Sequence, residues 1–286
     1  MISTVLSGVK SKNIPEKDMG VNVVTETQKN RVEEPTASVA TIILMNLWGY
    51  PLLILWTLFG ILVFPFIFLL GRLFLRWPGD RLTRWFIWLY GHGWFLLMSP
   101  FICFDRSQME LLEVKRPYMF VVNHFSFFDT FCMALLPIYD IIFAVRSWPF
   151  KMFWYSRFMR LARYLDVEGG HWEEILASCK AAFSANGSVL FFPEGHRSRD
   201  GQLQRFYSGG FKVAIAAGVP VVPLCINGTD RLLPPGRKLM HPCRITLKVL
   251  EPIDSTDFDS ADGHLQLRKL VRNRMNTALA EMRGEA

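Results

Sequence analysis

Five cysteines in 286 residues make no pair that a metal or a disulfide framework would ask for. Cys103, Cys132, Cys179, Cys225 and Cys243 form no C-x-x-C and show no ligand spacing, so no metal is expected and a reducing compartment is the simplest setting. H-E-x-x-H is missing, which argues against a zinc hydrolase built from His124, Asp129, Glu194 and His196. No activated serine or cysteine nucleophile is evident, and there is no internal repeat. Residues 1–34 lack the apolar stretch of a secretory signal and any sustained periodicity; a mobile polar tail over 1–40 is expected. The largest absence is of charge: none occurs from Pro35 to Gly71.

What fills that gap is apolar. Ile42 to Leu70 is long enough, at about 1.5 Å per helical residue, to cross ~30 Å of hydrocarbon, and Pro51 and Pro65 are expected to kink it or break it. Arg72, Arg76, Arg81 and Arg84 follow, and the positive-inside bias puts the rest of the chain on the cytoplasmic face. Trp85 to Phe104 is rich in aromatics and suits a membrane interface better than a second crossing; entry of both segments into one leaflet stays open. His92 within it is expected to be a satisfied or interfacial histidine. Membrane embedding of 41–105 agrees with a hydrophobic content of 51%. The net charge of +7 then favours anionic lipid or a phosphorylated substrate over nucleic acid.

From about residue 106 short apolar runs alternate with helical ones. Strands are expected at Tyr118–Val122, Ile141–Val145, Ser188–Phe192, Val219–Ile226 and Ile245–Leu250. Helices are expected at Phe150–Arg163, Trp172–Ala185, Gly210–Ala217 and Leu265–Met282, with Gly187 and Gly218 as stops. The fold class is α/β: a mixed, largely buried sheet flanked by helices over 106–286, preceded by an N-terminal apolar membrane-anchoring helical region. On the last helix Leu267, Leu270, Val271, Met275, Ala278, Leu279 and Met282 share one side, and its basic residues read as a solvated face.

Two short stretches carry chemistry. V-N-H-F-S-F-F-D-T at 122–130 sets His124 five residues before Asp129. On one helix those side chains diverge by ~140°; at a strand–helix junction they can meet, and the carboxylate would then orient the imidazole and stabilise its protonated form. F-F-P-E-G-H-R-S-R-D-G at 191–201 sets Glu194, Gly195 and Arg197 at a strand end, with Arg199 close by, a cationic amide-rich pocket for phosphate. Ser126 is expected to bond locally near the helix start. A third stretch, A-G-V-P-V-V-P-L at 217–224, reads by itself as a buried strand with rigid entry.

In this order the three blocks resemble the glycerolipid acyltransferase family, best known for its 1-acylglycerol-3-phosphate acyltransferases. Asn123, His124, Ser126 and Asp129 meet N-H-x-S-x-x-D. Phe192, Pro193, Glu194, Gly195, Arg197 and Ser198 meet F-P-E-G-T-R-S, and Val219 to Pro223 meets V-P-V-x-P. The likeness covers roughly 42–250. His196 stands where the family usually has threonine, and Glu168 and Gly169 stand where a second block normally places Asp and Arg. That arginine is associated in the family with the acceptor's glycerophosphate, so Arg146 or Arg163 would have to supply its charge. The resemblance implies transfer of a fatty acyl chain from acyl-CoA or acyl-carrier protein to a lysophospholipid hydroxyl. His124 would be general base and Asp129 its orienter, with Glu194, Gly195, Arg197, Ser198 and Arg146 on the substrate. It implies no cofactor, no acyl-enzyme, and membrane lipids as surroundings. Another lysolipid acceptor, transacylation between phospholipids, or a membrane lipid-binding protein with an inactive site stay as alternatives.

Overall fold

The computed structural model describes residues 37–285 apart from Lys115, Trp154 and Pro235. The tail read at 1–40 thus lies almost wholly outside the described residues. Helix α1 (Val39–Leu70) is capped by the Ser38 side chain, which accepts from the Thr41 N–H, and runs on through a π-helical turn at Gly71–Leu75. Pro51 and Pro65 do not divide it. The other helical bonds persist around each proline, and a neighbouring helix packs along the weakened turns. That neighbour is α2 (Gly79–Met98). Gly60 and Gly93 bring the two close: a Cβ on Gly93 would stand 2.0 Å from the Trp56 ring.

The segment read as interfacial from 85 to 104 is therefore two elements, most of α2 and the start of strand β1 (Ile102–Ser107). The remaining order is β2 (Met119–Val122), α3 (Asp129–Cys132), β3 (Ile141–Val145), α4 (Tyr155–Leu161), β4 (Leu165–Asp166), α5 (Trp172–Ser184), β5 (Ser188–Phe191), α6 (Gly209–Ala217), β6 (Val221–Asn227), α7 (Thr229–Leu232), β7 (Cys243–Val249) and α8 (Gly263–Arg283). The sheet runs β1-β7-β6-β2-β5-β3-β4, with β6 and β7 antiparallel and every other pair parallel.

Alternation along β2 shows how the sheet is covered. Phe120 and Val122 join Trp94, Met98 and Phe128 on the side of α2 and α3. Met119 and Val121 join Phe183, Phe211, Leu267, Val271 and Met275 on the side of α5, α6 and α8. Successive side chains of a strand point to opposite faces, and both faces here are dry, which is why the central strands are apolar throughout.

Some local expectations shift. The helix expected over Phe150–Arg163 is a 3₁₀ turn at Trp148–Lys151 followed by the shorter α4. Asn186 (φ +60°), rather than Gly187, takes the left-handed position after α5, whereas Gly218 (φ +63°) does end α6. Asparagine tolerates that conformation better than other residues with a Cβ. His92 is satisfied, its Nδ1 3.0 Å from the Trp88 carbonyl one turn earlier.

Candidate active site

Central β2 and β5 end side by side, and the two loops that leave them build the site. Asn123 fixes the first loop. Its side-chain N–H donates to the Ile226 carbonyl and its Oδ1 accepts from the Ile226 N–H, both at 2.8 Å, so the chain leaving β2 is clipped to β6. The turn then brings His124 and Asp129 together. Oδ2 of the fully buried Asp129 accepts from His124 Nδ1 at 2.8 Å, from the Phe125 N–H at 2.7 Å and from the Ser126 N–H at 2.8 Å. A carboxylate oxygen saturated by backbone donors is the acceptor in the pair, so Nδ1 carries the proton and Nε2 is the basic nitrogen. The imidazole stacks on Phe192, ring centres 4.3 Å apart, and borders a cavity of about 930 Å³. Ser126 makes its bond locally, accepting from the Phe128 N–H at 3.4 Å.

The loop after β5 joins the same cavity through Gly195, His196, Arg197, Ser198 and Arg199. Gly195 has φ +69°, and a Cβ there would press on Tyr207 at 3.0 Å; the left-handed turn and the close ring both favour glycine. Arg197 is exposed, on the cavity wall. His196 sets Nδ1 2.8 Å from the Glu194 carbonyl, which can only accept, leaving Nε2 free.

Two members of this loop are buried and tie it to the loop of His124. Glu194 is fully buried. Its Oε1 accepts from the His124 N–H and its Oε2 from the Gln204 N–H, each at 2.8 Å, so it ties the two loops together. Burial pushes its carboxyl above the ordinary range, against the pull of those two N–H groups. A buried carboxylate with both oxygens engaged has nothing to offer a phosphate. Ser198 is also buried, its N–H donating to the His124 carbonyl and its Oγ to Asp200, both at 2.8 Å. Glu194, off the cavity wall, positions His124, whereas Ser198 both holds the His124 carbonyl and lines the cavity.

Arg146 does reach the cavity, at the end of β3. Its Nε stands 2.5 Å from Glu168 Oε1, and the other oxygen of Glu168 accepts from the Ser147 N–H at 2.9 Å. These bonds hold the Glu168 carboxyl below its ordinary value, the Ser147 N–H foremost. The Arg146 charge is thus shared with a carboxylate. Arg163 is turned away, 3.7 Å from Asp80.

The sequence reading missed the supports of the second loop. Arg272 on α8 donates to the Leu203 and Gln204 carbonyls at 3.3 Å, Arg268 donates to Ser208 Oγ at 2.8 Å, and Arg283 donates to the Gly201 carbonyl at 2.7 Å while lying over the Phe125 ring. The α8 face read as solvated therefore holds residues 201–208 in place. Their spacing of four and eleven, one helical face, was the available signal. Among the described residues no three His, Cys, Asp or Glu side chains converge as metal ligands.

Residues 103–227 match the family model described as Acyltransferase. A 1-acyl-sn-glycerol-3-phosphate acyltransferase of Limnanthes douglasii is 28% identical over 225 residues, 74% of this chain and 73% of that one. A chloroplastic protein of that name from Brassica napus is 31% identical over 55% of this chain and 47% of its own. The Escherichia coli (strain K12) 1-acyl-sn-glycerol-3-phosphate acyltransferase is 37% identical over 101 residues, 34% of this chain and 39% of that one. The crystal structure of the 1-acyl-sn-glycerophosphate (LPA) acyltransferase PlsC from Thermotoga maritima superposes with a TM-score of 0.70, covering 85% of this chain and 96% of that one at 24% identity, which speaks for the fold. With the paired His124 and Asp129 opening beside Arg197 on one cavity, and the matching blocks in the same order, residues 103–227 carry an acyltransferase domain, and the chain is similar over about three quarters of its length to 1-acyl-sn-glycerol-3-phosphate acyltransferases.

Proposed function

We propose that this acyltransferase moves a fatty acyl group from an acyl thioester, acyl-CoA or acyl-carrier protein, to the free hydroxyl of 1-acylglycerol-3-phosphate, giving phosphatidate. The observation that carries the reading is the bond from His124 Nδ1 to Asp129, with the imidazole on the wall of a large apolar cavity that also holds Arg197. The names of the relatives support this acceptor.

In this mechanism Nε2 of His124 takes the proton from the acceptor hydroxyl as its oxygen attacks the thioester carbonyl. Asp129 holds the ring and stabilises the imidazolium. Collapse of the tetrahedral adduct breaks the carbon–sulfur bond, and the departing thiolate recovers the proton from His124. Arg197 binds the acceptor phosphate, with Arg146 a weaker contributor while Glu168 is ionised. The acyl chain lies along the aromatic wall that includes Phe131, Phe143 and Tyr155. No acyl-enzyme forms, and no cofactor is needed.

Membrane attachment belongs to α1. Its exposed side carries Leu47, Ile54, Leu55, Leu58, Leu62, Phe66 and Leu69. Its other side packs along its length, Gly49 on Met98 and Met240, Trp56 on Tyr90 and Phe64 on Phe86, and Gly71 in the π-helical turn that follows lies on Leu82. A helix held along its whole length by the body of the protein enters one leaflet more readily than it crosses two, with the α/β unit of 106–286 on the cytoplasmic face.

His124→Ala should lower turnover at least a hundredfold with the thermal transition unchanged, measured by mass spectrometry of products from mixed lysolipids and a thioester donor. A folded variant that retains more than a tenth of the activity would remove His124 as the base. If phosphate-free lysolipids are acylated as fast as 1-acylglycerol-3-phosphate, the acceptor is wrong though the chemistry stands.

A further inference from the structure

Between β3 and β4 the chain leaves the sheet as the 3₁₀ turn Trp148–Lys151 and then α4. The two sides of this excursion differ. Pro149, Met152, Tyr155, Phe158 and Met159 face the cavity. Outward, Phe153 is 86% exposed, Trp148 52% and Leu161 43%, and Lys151, Arg157 and Arg160 stand exposed among them. A surface meant only for water rarely groups large apolar side chains in this way. Aromatics interleaved with cations are the composition of a membrane–water interface.

The segment is also continuous with α1. Phe158 packs edge-on against Phe64 with ring centres 4.9 Å apart, and Leu161 joins Phe64, Pro65, Phe68 and Leu69 around a shallow apolar groove. Ile61 of α1 and Trp148 line the cavity, and both are also exposed, at 40% and 52%. The opening of the cavity thus has apolar, outward-facing side chains on both of its lips.

We propose that residues 148–161 are a second membrane contact, seated in the headgroup layer of an anionic leaflet, with Phe153 inserted and Lys151, Arg157 and Arg160 on lipid phosphates. In that position the segment is the lipid-side lip of the cavity, opposite α1. The proposal rests on the reading of α1 as membrane-embedded and is independent of the acceptor and of the role of His124.

The test uses the full chain with Cys103→Ser, which removes the exposed thiol and leaves four buried ones. An environment-sensitive NBD label is placed in turn at Phe153→Cys, at Leu62→Cys on the exposed side of α1, and at Glu173→Cys on α5. The protein is added to vesicles of phosphatidylcholine with and without phosphatidylglycerol. The expected result is a blue shift, with quenching by brominated acyl chains, at 153 and 62 but not at 173. Arg157→Glu with Arg160→Glu should weaken the response at 153 about fivefold per charge on anionic vesicles and leave it unchanged on neutral ones. A water-like signal at 153 beside a shifted one at 62 overturns the second contact and leaves α1 as the anchor. Water-like signals at both positions overturn the two together, and an equal response at 153 with the arginines reversed overturns their role on lipid phosphates.

Discussion

Two backbone N–H groups from different loops, those of His124 and Gln204, point at the one carboxylate of Glu194. An amide in its place would set an NH₂ against one of them. Glu194→Gln should therefore cost about 1–3 kcal/mol and lower kcat, because the loop carrying His124 loses a tie. Burial raises the Glu194 carboxyl pKa, so the folded chain binds that proton more tightly than the unfolded one. Its contribution favours the fold below the unfolded value and fades as pH rises through the folded one. The stability gap between parent and variant should shrink over that interval in denaturant titrations; a gap that widens would show Glu194 to be stabilised as the anion. Glu168 offers the opposite experiment. It lies exposed against Arg146, so Glu168→Gln should release that charge and lower KM for a phosphorylated acceptor about two- to fivefold with kcat unaltered. An unchanged KM would take Arg146 out of the acceptor site. The His124–Asp129 pairing was legible in the sequence, since a strand followed by a helix leaves few other ways for two residues five apart to meet. The partners of Glu194 were not, because peptide N–H groups 70 and 10 residues away leave no trace in residue type.

Among the elements, β2, β5 and β6 were readable because both of their faces are buried, and β3, half-buried along the cavity, because it too is apolar throughout. β1 and β4 were not. Each closes an edge of the sheet, where one side of the ladder is unpaired and polar residues are tolerated; β1 is I-C-F-D-R-S and β4 is two residues long. The helix α8 was read correctly on its buried side, with Leu267, Val271, Met275 and Leu279 in the core, and incompletely on the other. Arginine is compatible with solvent and with a loop carbonyl alike, so only coordinates separate the two. The distinction has a consequence. Arg272 holds the Leu203 and Gln204 carbonyls, and the Gln204 N–H in turn holds Glu194. Arg272→Ala should speed amide exchange across 201–208 and reduce kcat more than it raises KM, while Lys269→Ala, exposed on the same helix, should do neither. Equal behaviour of the two variants would return the α8 arginines to solvent.

At the scale of the molecule the N-terminal helices α1 and α2 and the α/β unit are joined by an ionic node. Arg84 of α2, nearly buried, donates Nε to Asp140 at 2.6 Å and Nη1 to the Ala162 carbonyl at 2.9 Å, and approaches Asp80 at 3.3 Å. Asp140 sits just before β3 and Ala162 just after α4, so one guanidinium spans three parts of the chain that also wall the cavity. The value of such a pair lies less in net attraction than in what its loss leaves behind. Arg84→Met strands a buried carboxylate, at roughly 3–5 kcal/mol when nothing else reaches it. Arg81, half-exposed and 3.4 Å from Asp140, keeps part of that compensation, so the lower end is expected. Adding Asp140→Asn to Arg84→Met should recover a share of the lost thermal stability, since no unpaired charge then remains. Membrane binding should survive in both variants, because α1 keeps its apolar side, while acyl transfer falls as the cavity wall loosens. Loss of vesicle binding in step with loss of activity would mean instead that α1 cannot hold the bilayer without the node, and that anchoring and catalysis are one cooperative unit.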